Sequence, residues 1–238
     1  MKICDLHTHV LPEVDDGAQT MEYALQMLCN AAASDVELLV VTPHCSTYFP
    51  NYLDEDLKKR FFRLQQAAED IPVQLVLGAE VMAEENLPQL LQQGVVPTIN
   101  GSRYLLTEFP MDAEAADFVP MLQQILELGY VPLIAHPERY AAVCQAPQQV
   151  ISWLDMGCHL QLTGGSILGE YGKSVQKTAA FLLQQDWVAC VASDAHGVRH
   201  RSNFLLDVYD HLQIYFSKQY AQCLLWEMPM AICHNDLI

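Results

Sequence analysis

Short apolar runs alternate with longer amphipathic segments along the whole chain, and this alternation constrains the fold more than any other feature. The short runs have the length of buried strands, whereas the longer segments repeat apolar residues with the 3.6-residue period of a helix. Strands that alternate with helices favour a parallel sheet. The seven predicted strands are Lys2–Asp5, Glu37–Val41, Gln74–Leu77, Tyr104–Thr107, Val131–Ala135, His159–Leu162 and Val188–Ala192.

Helices are predicted between these strands and after the last one, and glycine or proline marks several of the joins. The predicted helices are Met21–Ala33, Asp54–Glu69, Asn86–Gln93, Ala113–Leu128, Pro147–Met156, Ser174–Gln185, Arg201–Phe216 and Lys218–Glu227. A chain of 238 residues without a long polar linker has the size of one α/β barrel. We therefore expect one domain over residues 1–238, with a parallel barrel of seven strand-helix units.

Six of the seven predicted strands lead into a histidine, aspartate or glutamate. In a parallel barrel the carboxyl ends of all strands lie on one face, which is where such folds carry their chemistry. A single polar residue after a strand means little, because turns favour such residues. Six strands that all lead into histidine, aspartate or glutamate have no structural rationale, and this pattern predicts a functional site on this face. The candidate residues are His7, His9, Asp16, His44, Glu80, Glu108, His136, Asp194 and His196.

These residue types predict a metal centre. One residue separates His7 from His9, so an extended backbone directs both imidazoles to the same side. Four carboxylates on one face would repel each other unless cations compensated their charge. Nine candidate ligands exceed the four of a tetrahedral ion and are typical of two or three divalent ions that share carboxylates.

Composition excludes several classes of partner. The formal net charge is −17, with only 12 lysines and arginines, so binding of nucleic acid or of an anionic membrane is unfavourable. No apolar stretch approaches the roughly 18 residues that a membrane span needs, and no signal peptide is apparent. Eight cysteines occur singly, without a Cys-x-x-Cys pair, which favours reduced thiols and a cytoplasmic location.

Together these motifs resemble the PHP (polymerase and histidinol phosphatase) superfamily, and more closely its capsular-polysaccharide branch of manganese-dependent tyrosine-protein phosphatases. The matching motifs occur in collinear order and span residues 5 to 196. They are Asp5-Leu6-His7-Thr8-His9, Val14-Asp15-Asp16-Gly17, Thr42-Pro43-His44, Gly78-Ala79-Glu80, Thr107-Glu108-Phe109-Pro110, His136-Pro137-Glu138-Arg139-Tyr140 and Ser193-Asp194-Ala195-His196. Many metallohydrolases share the first motif, whereas the aspartate pair before Gly17 and the run from His136 to Tyr140 point to this branch.

The resemblance implies a distorted TIM-like (β/α)7 barrel of the PHP type with three divalent ions, Mn2+ as first choice and Fe, Zn, Mg or Co as alternatives. It assigns His7, His9, Glu80 and Asp194 to the first ion, Glu80, Glu108 and His136 to the second, and Asp16, His44 and His196 to the third. Asp15 remains an alternative to Asp16. Cys45 replaces a second histidine that the family often has, either as a tolerated change near the ligands or as a preference for softer metals.

Arginine is scarce in the chain, yet two arginines closely follow candidate ligands. Arg139 lies three residues after one ligand, and Arg201 five residues after another. Planar guanidinium groups match phosphate oxygens, so both are expected to bind a phosphate group. Two alternatives stay open. Arg199 could take the place of Arg201, and Arg139 could instead lie in solvent or form a salt bridge with Glu138.

The function expected from this resemblance is hydrolysis of phosphotyrosine by a hydroxide that bridges two metal ions. The substrate would be a protein, such as a cognate bacterial tyrosine kinase that controls capsule or exopolysaccharide synthesis. Three alternatives remain. They are a small-molecule phosphatase such as histidinol phosphatase, an amidohydrolase, and a catalytically weak metal-binding regulatory subunit. An amidohydrolase is disfavoured because that class usually has a metal-bridging lysine at a strand end, and no predicted strand ends in lysine.

Overall fold

The computed structural model describes residues 1–49 and 55–238. Within these residues the chain forms parallel strands separated by helices, as the apolar pattern predicts. The strands are β1 (Ile3–Thr8), β2 (Val36–Val41), β3 (His44–Cys45), β4 (Gln74–Leu77), β5 (Glu80–Met82), β6 (Tyr104–Glu108), β7 (Val131–Ala135), β8 (His159–Thr163) and β9 (Cys190–Ala192).

These strands form two ladders, ordered β1-β2-β4 and β3-β5-β6-β7-β8-β9. After breaks of two residues, β3 continues the path of β2 and β5 continues the path of β4, so the two ladders share two strand paths. The segment after β9 returns to β1, since Thr8 forms a parallel bridge with Ala195. There the backbone N–H of Asp194 donates to the His7 carbonyl at 2.9 Å, and that of His9 donates to the Ala195 carbonyl at 2.8 Å. The expected α/β fold with a barrel-like course is confirmed.

The helices lie between these strands and after the last one. They are α1 (Met21–Ala33), α2 (Glu55–Ala67), α3 (Leu87–Gln92), α4 (Ala115–Glu127), α5 (Ala141–Gln145), α6 (Ile151–Asp155), α7 (Gly164–Leu168), α8 (Lys173–Gln184), α9 (Leu205–Tyr215), α10 (Lys218–Gln222) and α11 (Met228–Cys233). None of the described helices combines the length and the apolarity needed to cross a lipid bilayer.

Helix α1 shows how the local sequence specifies these elements. The side chain of Thr20 accepts a hydrogen bond from the backbone N–H of Tyr23 at 3.2 Å and caps the first turn. The helix buries Ala24, Met27, Leu28 and Ala31, a spacing that places them on one face. This predicted helix has the observed limits, because capping and periodicity are both local properties.

The strand predictions differ from the structure where chain segments far apart pair. The apolar pattern does not predict β3 or β5, which are only two and three residues long and carry His44 and Glu80 at their starts. The first predicted strand ends too early at Asp5, because pairing between Thr8 and Val41 extends β1 and includes His7. Strands as short as these form through tertiary pairing and are too short to show a period-two pattern.

Several helix boundaries were also predicted wrongly. The start of the predicted helix Arg201–Phe216 is wrong, because Arg201 has a φ of 47°, in the left-handed region, and α9 begins only at Leu205. The predicted helix Pro147–Met156 opens with a 3-10 turn over its first four residues.

The C-terminal helices are more divided than their periodicity indicates. The predicted helix Lys218–Glu227 changes to π-helical hydrogen bonding over Cys223–Glu227. The pattern does not predict α5, α7 or α11, each of five or six residues. Asp54, the predicted start of the second helix, lies outside the described residues.

An apolar cluster shared by both ladders supports the site from below. It includes buried residues of β1, β2, β6, β7 and β9, and Ile232 of α11 packs against it. On β6, Tyr104 and Leu106 belong to this cluster, and Glu108 lies two residues further along on the same face. The alternation of a strand therefore turns an apolar interior into a polar rim at the carboxyl end.

Candidate metal centre

The structure brings all nine predicted ligands together at the carboxyl ends of the strands. Eight lie on a strand or within four residues after one, and the ninth lies in the loop between β1 and α1. They are His7 on β1, His9 after it, Asp16 in the loop, His44 on β3, Glu80 on β5, Glu108 on β6, His136 after β7, and Asp194 and His196 after β9.

His7 and His9 face each other in a way that suits a cation. Their Nε2 atoms are 3.1 Å apart. The Nδ1 atom of His7 lies 2.9 Å from Oε1 of Gln161, and that of His9 lies 2.9 Å from Oδ2 of Asp15. Because these oxygens accept the Nδ1 protons, each neutral ring presents an Nε2 lone pair. Two lone pairs that converge at this distance are satisfied by a shared positive charge.

Two carboxylates complete this first group of donors. Glu80 Oε2 lies 3.2 Å from the Nε2 atoms of both His7 and His9, and Asp194 Oδ1 lies 3.5 and 3.6 Å from them. Ligands bound about 2.1 Å from one ion lie about 3.0 Å apart at a right angle and about 3.4 Å apart at a tetrahedral angle. The spacing of these donors therefore fits a single transition-metal ion.

Glu80 also belongs to a second group. Its Oε1 atom lies 2.9 Å from His136 Nε2, and Oε1 of Glu108 lies 3.5 Å from the same nitrogen. Nδ1 of His44 lies 3.1 Å from Glu80 Oε2 and 3.6 Å from Glu108 Oε2. Glu80 thus faces both groups, which suits a bridging carboxylate. His44 approaches this group as well as the third group, to which the resemblance assigns it.

The third group surrounds Asp16. Oδ1 of Asp16 lies 3.3 Å from His196 Nε2 and 3.5 Å from His44 Nε2. His9 stacks on His196 with 3.8 Å between ring centroids, so it lies beside this group too. Asp15 instead accepts hydrogen bonds from His9 and from the backbone N–H groups of Gly17 and His44. This geometry favours Asp16 as the metal-facing residue and Asp15 as its support.

The electrostatics of the site also favour bound cations. Burial and repulsion from Glu80 raise the pKa of Glu108 to about 9. Burial disfavours the protonated form of His9, but Asp15 and Glu80 outweigh this and raise its pKa well above the ordinary value. Burial opposes ionisation of Asp194, but His7 and other cationic neighbours lower its pKa. The centre thus takes up protons that a metal ion would replace.

Three residues of the site have left-handed backbone conformations that only glycine adopts without strain. The φ angles are 37° for His136, 52° for Asp194 and 47° for Arg201. Such a conformation costs about 1 kcal/mol in a residue with a β-carbon. His136 and Asp194 lie within two residues after a strand, and Arg201 lies further along the segment after β9.

Both predicted arginines contact Asp194. Nη1 of Arg139 donates to Asp194 Oδ2 at 2.7 Å, and Nη2 of Arg201 donates to Oδ1 and Oδ2 at 3.0 and 3.1 Å. Arg199 is exposed and lines a cavity of about 210 Å³ beside Arg201. Glu138 is buried and accepts a hydrogen bond from the backbone N–H of Thr163 at 2.9 Å. The geometry favours Arg201 over Arg199, and Arg139 pairs with Asp194.

Several supporting residues do not follow from the strand-exit pattern. Gln161 orients His7, and Asp5 accepts the backbone N–H of Ser193 at 2.9 Å, which joins β1 to the segment after β9. Both are fully buried polar residues within apolar strands, and that is the sequence signal that could have identified them. A further residue, Tyr171, packs its ring against Arg139.

Cys45 lies on the opposite face of β3 from His44. It is buried in an apolar cluster with Ala79 and Val81, and burial raises the pKa of its thiol well above the ordinary value. A thiol in such surroundings stays protonated and is a poor metal ligand. The structure supports the interpretation that the cysteine is a tolerated change.

Comparison with known proteins gives consistent similarities along the whole chain. The family model for capsular polysaccharide synthesis, CpsB/CapC, matches residues 3–234. The tyrosine-protein phosphatase CpsB of Streptococcus pneumoniae is 30% identical over 241 residues, which cover 98% of this chain and 99% of that protein. The tyrosine-protein phosphatase YwqE of Bacillus subtilis (strain 168) is 31% identical over 206 residues, which cover 83% and 79%.

Solved structures agree with these sequence relatives. A structure from work on YwqE of Bacillus subtilis and CpsB of Streptococcus pneumoniae, described as metal-dependent tyrosine phosphatases, superposes with a TM-score of 0.93. It is 27% identical to this chain, and the match covers 99% of this chain and 96% of the other. A phosphotriesterase homology protein from Escherichia coli, with phosphate in its active site, has a TM-score of 0.67 at 10% identity over 98% of both chains. The second similarity shows the fold alone.

Proposed function

Because the chain belongs to the CpsB/CapC family of capsular polysaccharide synthesis proteins, we propose that it is a metal-dependent phosphatase that hydrolyses phosphotyrosine in proteins. The observation that carries this proposal is the position of Asp194. Its carboxylate faces the His7 and His9 imidazoles on one side and accepts hydrogen bonds from two guanidinium groups on the other. The candidate metal ligands and the guanidinium groups that would donate hydrogen bonds to phosphate therefore meet at one buried residue, Asp194.

We propose three divalent cations, with Mn2+ as first choice and Fe, Zn, Mg or Co as alternatives. The donor set fits such ions, because neutral imidazoles and carboxylates converge at the spacing of ligands around one ion. When bound, the ions would supply Lewis acidity and lower the pKa of a water molecule. The proposed ligands are His7, His9, Glu80 and Asp194 for the first ion, Glu80, Glu108 and His136 for the second, and Asp16, His44 and His196 for the third.

The residues of the chain itself bind and orient the substrate. Arg139 and Arg201 present N–H donors beside the cation groups, where they bind the phosphate oxygens and stabilise charge that develops on them. Asp15 and Gln161 hold the Nδ1 protons of His9 and His7, which fixes both rings. The leaving group is a phenolate with an ordinary pKa near 10, so it departs with little protonation.

A cysteine nucleophile is not part of this proposal. Cys190 is fully buried, and burial raises its pKa far above the ordinary value. The thiol of Cys144 donates to the Glu138 carbonyl at 3.1 Å. A protein phosphatase that uses a thiol needs an accessible thiolate in electropositive surroundings, and neither residue provides one.

The physiological substrate that we propose is a tyrosine kinase of a capsule or exopolysaccharide system, in line with the family's role in capsular polysaccharide synthesis. We infer a single domain over residues 1–238 in the cytoplasm. The eight cysteines all lie in the described part of the chain and form no disulfide, which supports a reducing compartment. The amidohydrolase alternative is weakened because none of the described strands ends in lysine.

The test is elemental analysis of protein purified without added metal, combined with turnover assays on a phosphotyrosyl peptide and on histidinol phosphate. The proposal predicts bound transition metal and a preference for the peptide. Equal or better turnover of histidinol phosphate would favour the small-molecule phosphatase. A metal-loaded protein that leaves even para-nitrophenyl phosphate intact would instead indicate a regulatory subunit.

A further inference from the structure

Tyr171 lies beside both arginines of the proposed phosphate site. The guanidinium carbon of Arg139 lies 4.7 Å from the centre of the Tyr171 ring. Tyr171 and Arg201 line the same cavity of about 210 Å³, and Arg201 works against the rise in pKa that burial gives the Tyr171 hydroxyl. One aromatic residue therefore lies beside two cationic side chains that both pair with Asp194.

A tight turn between α7 and α8 holds Tyr171 in this place. Gly169 and Gly172 flank the turn with φ angles of 90° and 92°, and the N–H of Gly172 donates to the Gly169 carbonyl at 3.1 Å. Such angles are accessible to glycine without strain. A β-carbon on Gly165 would lie only 3.1 Å from Cε2 of Tyr171, so the ring packs closely over this glycine. The backbone and the packing both limit where the ring can lie.

These contacts leave hydrogen-bond donors free on the arginines. The Nε atom of Arg201 is buried and makes no hydrogen bond within the described residues. Arg139 has one face against the ring, and only its Nη1 atom donates to Asp194. An arginine loses conformational entropy when it binds an anion, and an arginine that is already oriented loses less.

We propose that Tyr171 is a positioning residue of the phosphate site, which orients Arg139 through its ring face and borders Arg201 in the same cavity. β8 is the strand without a predicted ligand at its exit. The segment that follows β8 contributes Tyr171 and no candidate metal ligand, so its role lies in phosphate binding. The inference rests on the proposed phosphatase function, but its test measures phosphate binding and does not require turnover.

The test uses calorimetric titration of the metal-loaded protein with inorganic phosphate. Tyr171→Leu should weaken phosphate binding about tenfold, because it removes a partly desolvated cation–π contact. Tyr171→Phe keeps the ring face against Arg139 and should recover most of this loss. Tyr215→Leu is the matched control, because Tyr215 is exposed and its ring contacts His211. It should bind phosphate like the wild type.

A double-mutant cycle separates positioning from a general effect on folding. In an Arg139→Ala background, Tyr171→Leu should weaken phosphate binding much less than tenfold, because the contact to Arg139 is already lost. Metal content and thermal midpoint should stay at wild-type values in the Tyr171→Phe protein. An unchanged dissociation constant for Tyr171→Leu would overturn the inference, as would the same loss in both backgrounds. A wild-type protein that binds phosphate but does not hydrolyse phosphotyrosine would refute the proposed function alone.

Discussion

At the scale of single residues, Asp194 links the first group of candidate metal ligands to the two arginines of the proposed phosphate site. It is buried, has a left-handed backbone, and lies within 3.6 Å of His7 and His9 while pairing with two arginines. A residue that is shared in this way would couple the proposed binding of cations to the proposed binding of phosphate. The strand-exit pattern predicts its place among the ligands, but its contacts with the arginines emerge only from the structure.

The role of Arg139 can be tested by substitution. Arg139→Ala should lower kcat/KM for a phosphotyrosyl peptide about a hundredfold, because a charged donor to the transferring phosphoryl group is lost. Metal content should remain unchanged when it is measured by elemental analysis. Arg199→Ala serves as the control, because that exposed side chain does not pair with Asp194, and it should keep activity near the wild-type value. Unchanged kinetics of Arg139→Ala would remove this arginine from the site.

The division of roles between the two aspartates gives a second prediction. Asp15→Ala removes the acceptor that orients His9, so metal affinity should fall about 10- to 100-fold. Competition with a chelator measures this change. Asp112→Ala is a suitable control, because Asp112 is exposed and outside the three metal groups. Full metal affinity in the Asp15→Ala protein would show that the ring of His9 needs no such support.

At the scale of elements, the loop between β1 and α1 carries Asp15 and Asp16, which reach the candidate metal centre from outside the strands. It folds back on β1, because the N–H of Glu13 donates to the Ala18 carbonyl at 2.9 Å and the N–H of Ala18 donates to the His9 carbonyl at 3.0 Å. Gly17 makes this close approach possible. A β-carbon there would lie 2.0 Å from the His9 carbonyl oxygen.

Gly17→Ala should therefore open this loop. We expect a lower metal stoichiometry, because Asp16 moves away from His44 and His196, and we expect a lower thermal midpoint. Gly94→Ala is the matched comparison, since Gly94 has a φ of 66° and open space around it. That change should cost about 1 kcal/mol of unfolding free energy through backbone strain alone and leave the metal content intact. A Gly17→Ala protein with full metal content would contradict the role of the loop.

At the scale of the whole molecule, some of the excess acidic residues are concentrated at the candidate metal centre and the others are spread over the rest of the chain. The chain has 29 acidic and 12 basic side chains, and four of the acidic ones converge at the metal centre. Bound cations would neutralise these four, whereas the rest keep the surface negative. The stability of the metal-free protein should consequently depend on pH.

Glu108 and His9 set the direction of this dependence above neutral pH, because both hold a proton more tightly in the folded protein than in the unfolded chain. The pKa of Glu108 rises from an ordinary value near 4.5 to about 9 in the folded protein. The folded state therefore holds a proton that the unfolded state has lost, so this contribution to stability is largest at low pH and disappears as the pH rises to 9. The pKa values of His44, His136 and His196 are lowered by burial, so these rings are neutral in both states above pH 7.

We expect the metal-free protein to lose about 2 kcal/mol of unfolding free energy between pH 7 and pH 9 through Glu108. Urea unfolding in the presence of a chelator measures this loss. Glu108→Gln should show a smaller slope, because its amide does not ionise, and the metal-loaded wild type should show a smaller slope because cations replace the proton. Equal slopes for the wild type and Glu108→Gln would contradict this assignment.

The sequence by itself determined the α/β class and the rim residues that follow strands, because parallel strands bring their carboxyl ends to one face whatever their detailed packing. Its motifs determined the family and, by resemblance, the expected grouping of the ligands. Only the tertiary structure gave the distances between these ligands, the evidence for Asp16 over Asp15 and for Arg201 over Arg199, and the contacts of Tyr171. The physical reason is distance along the chain. Gln161 orients His7 across 154 residues, and no local pattern records such a contact.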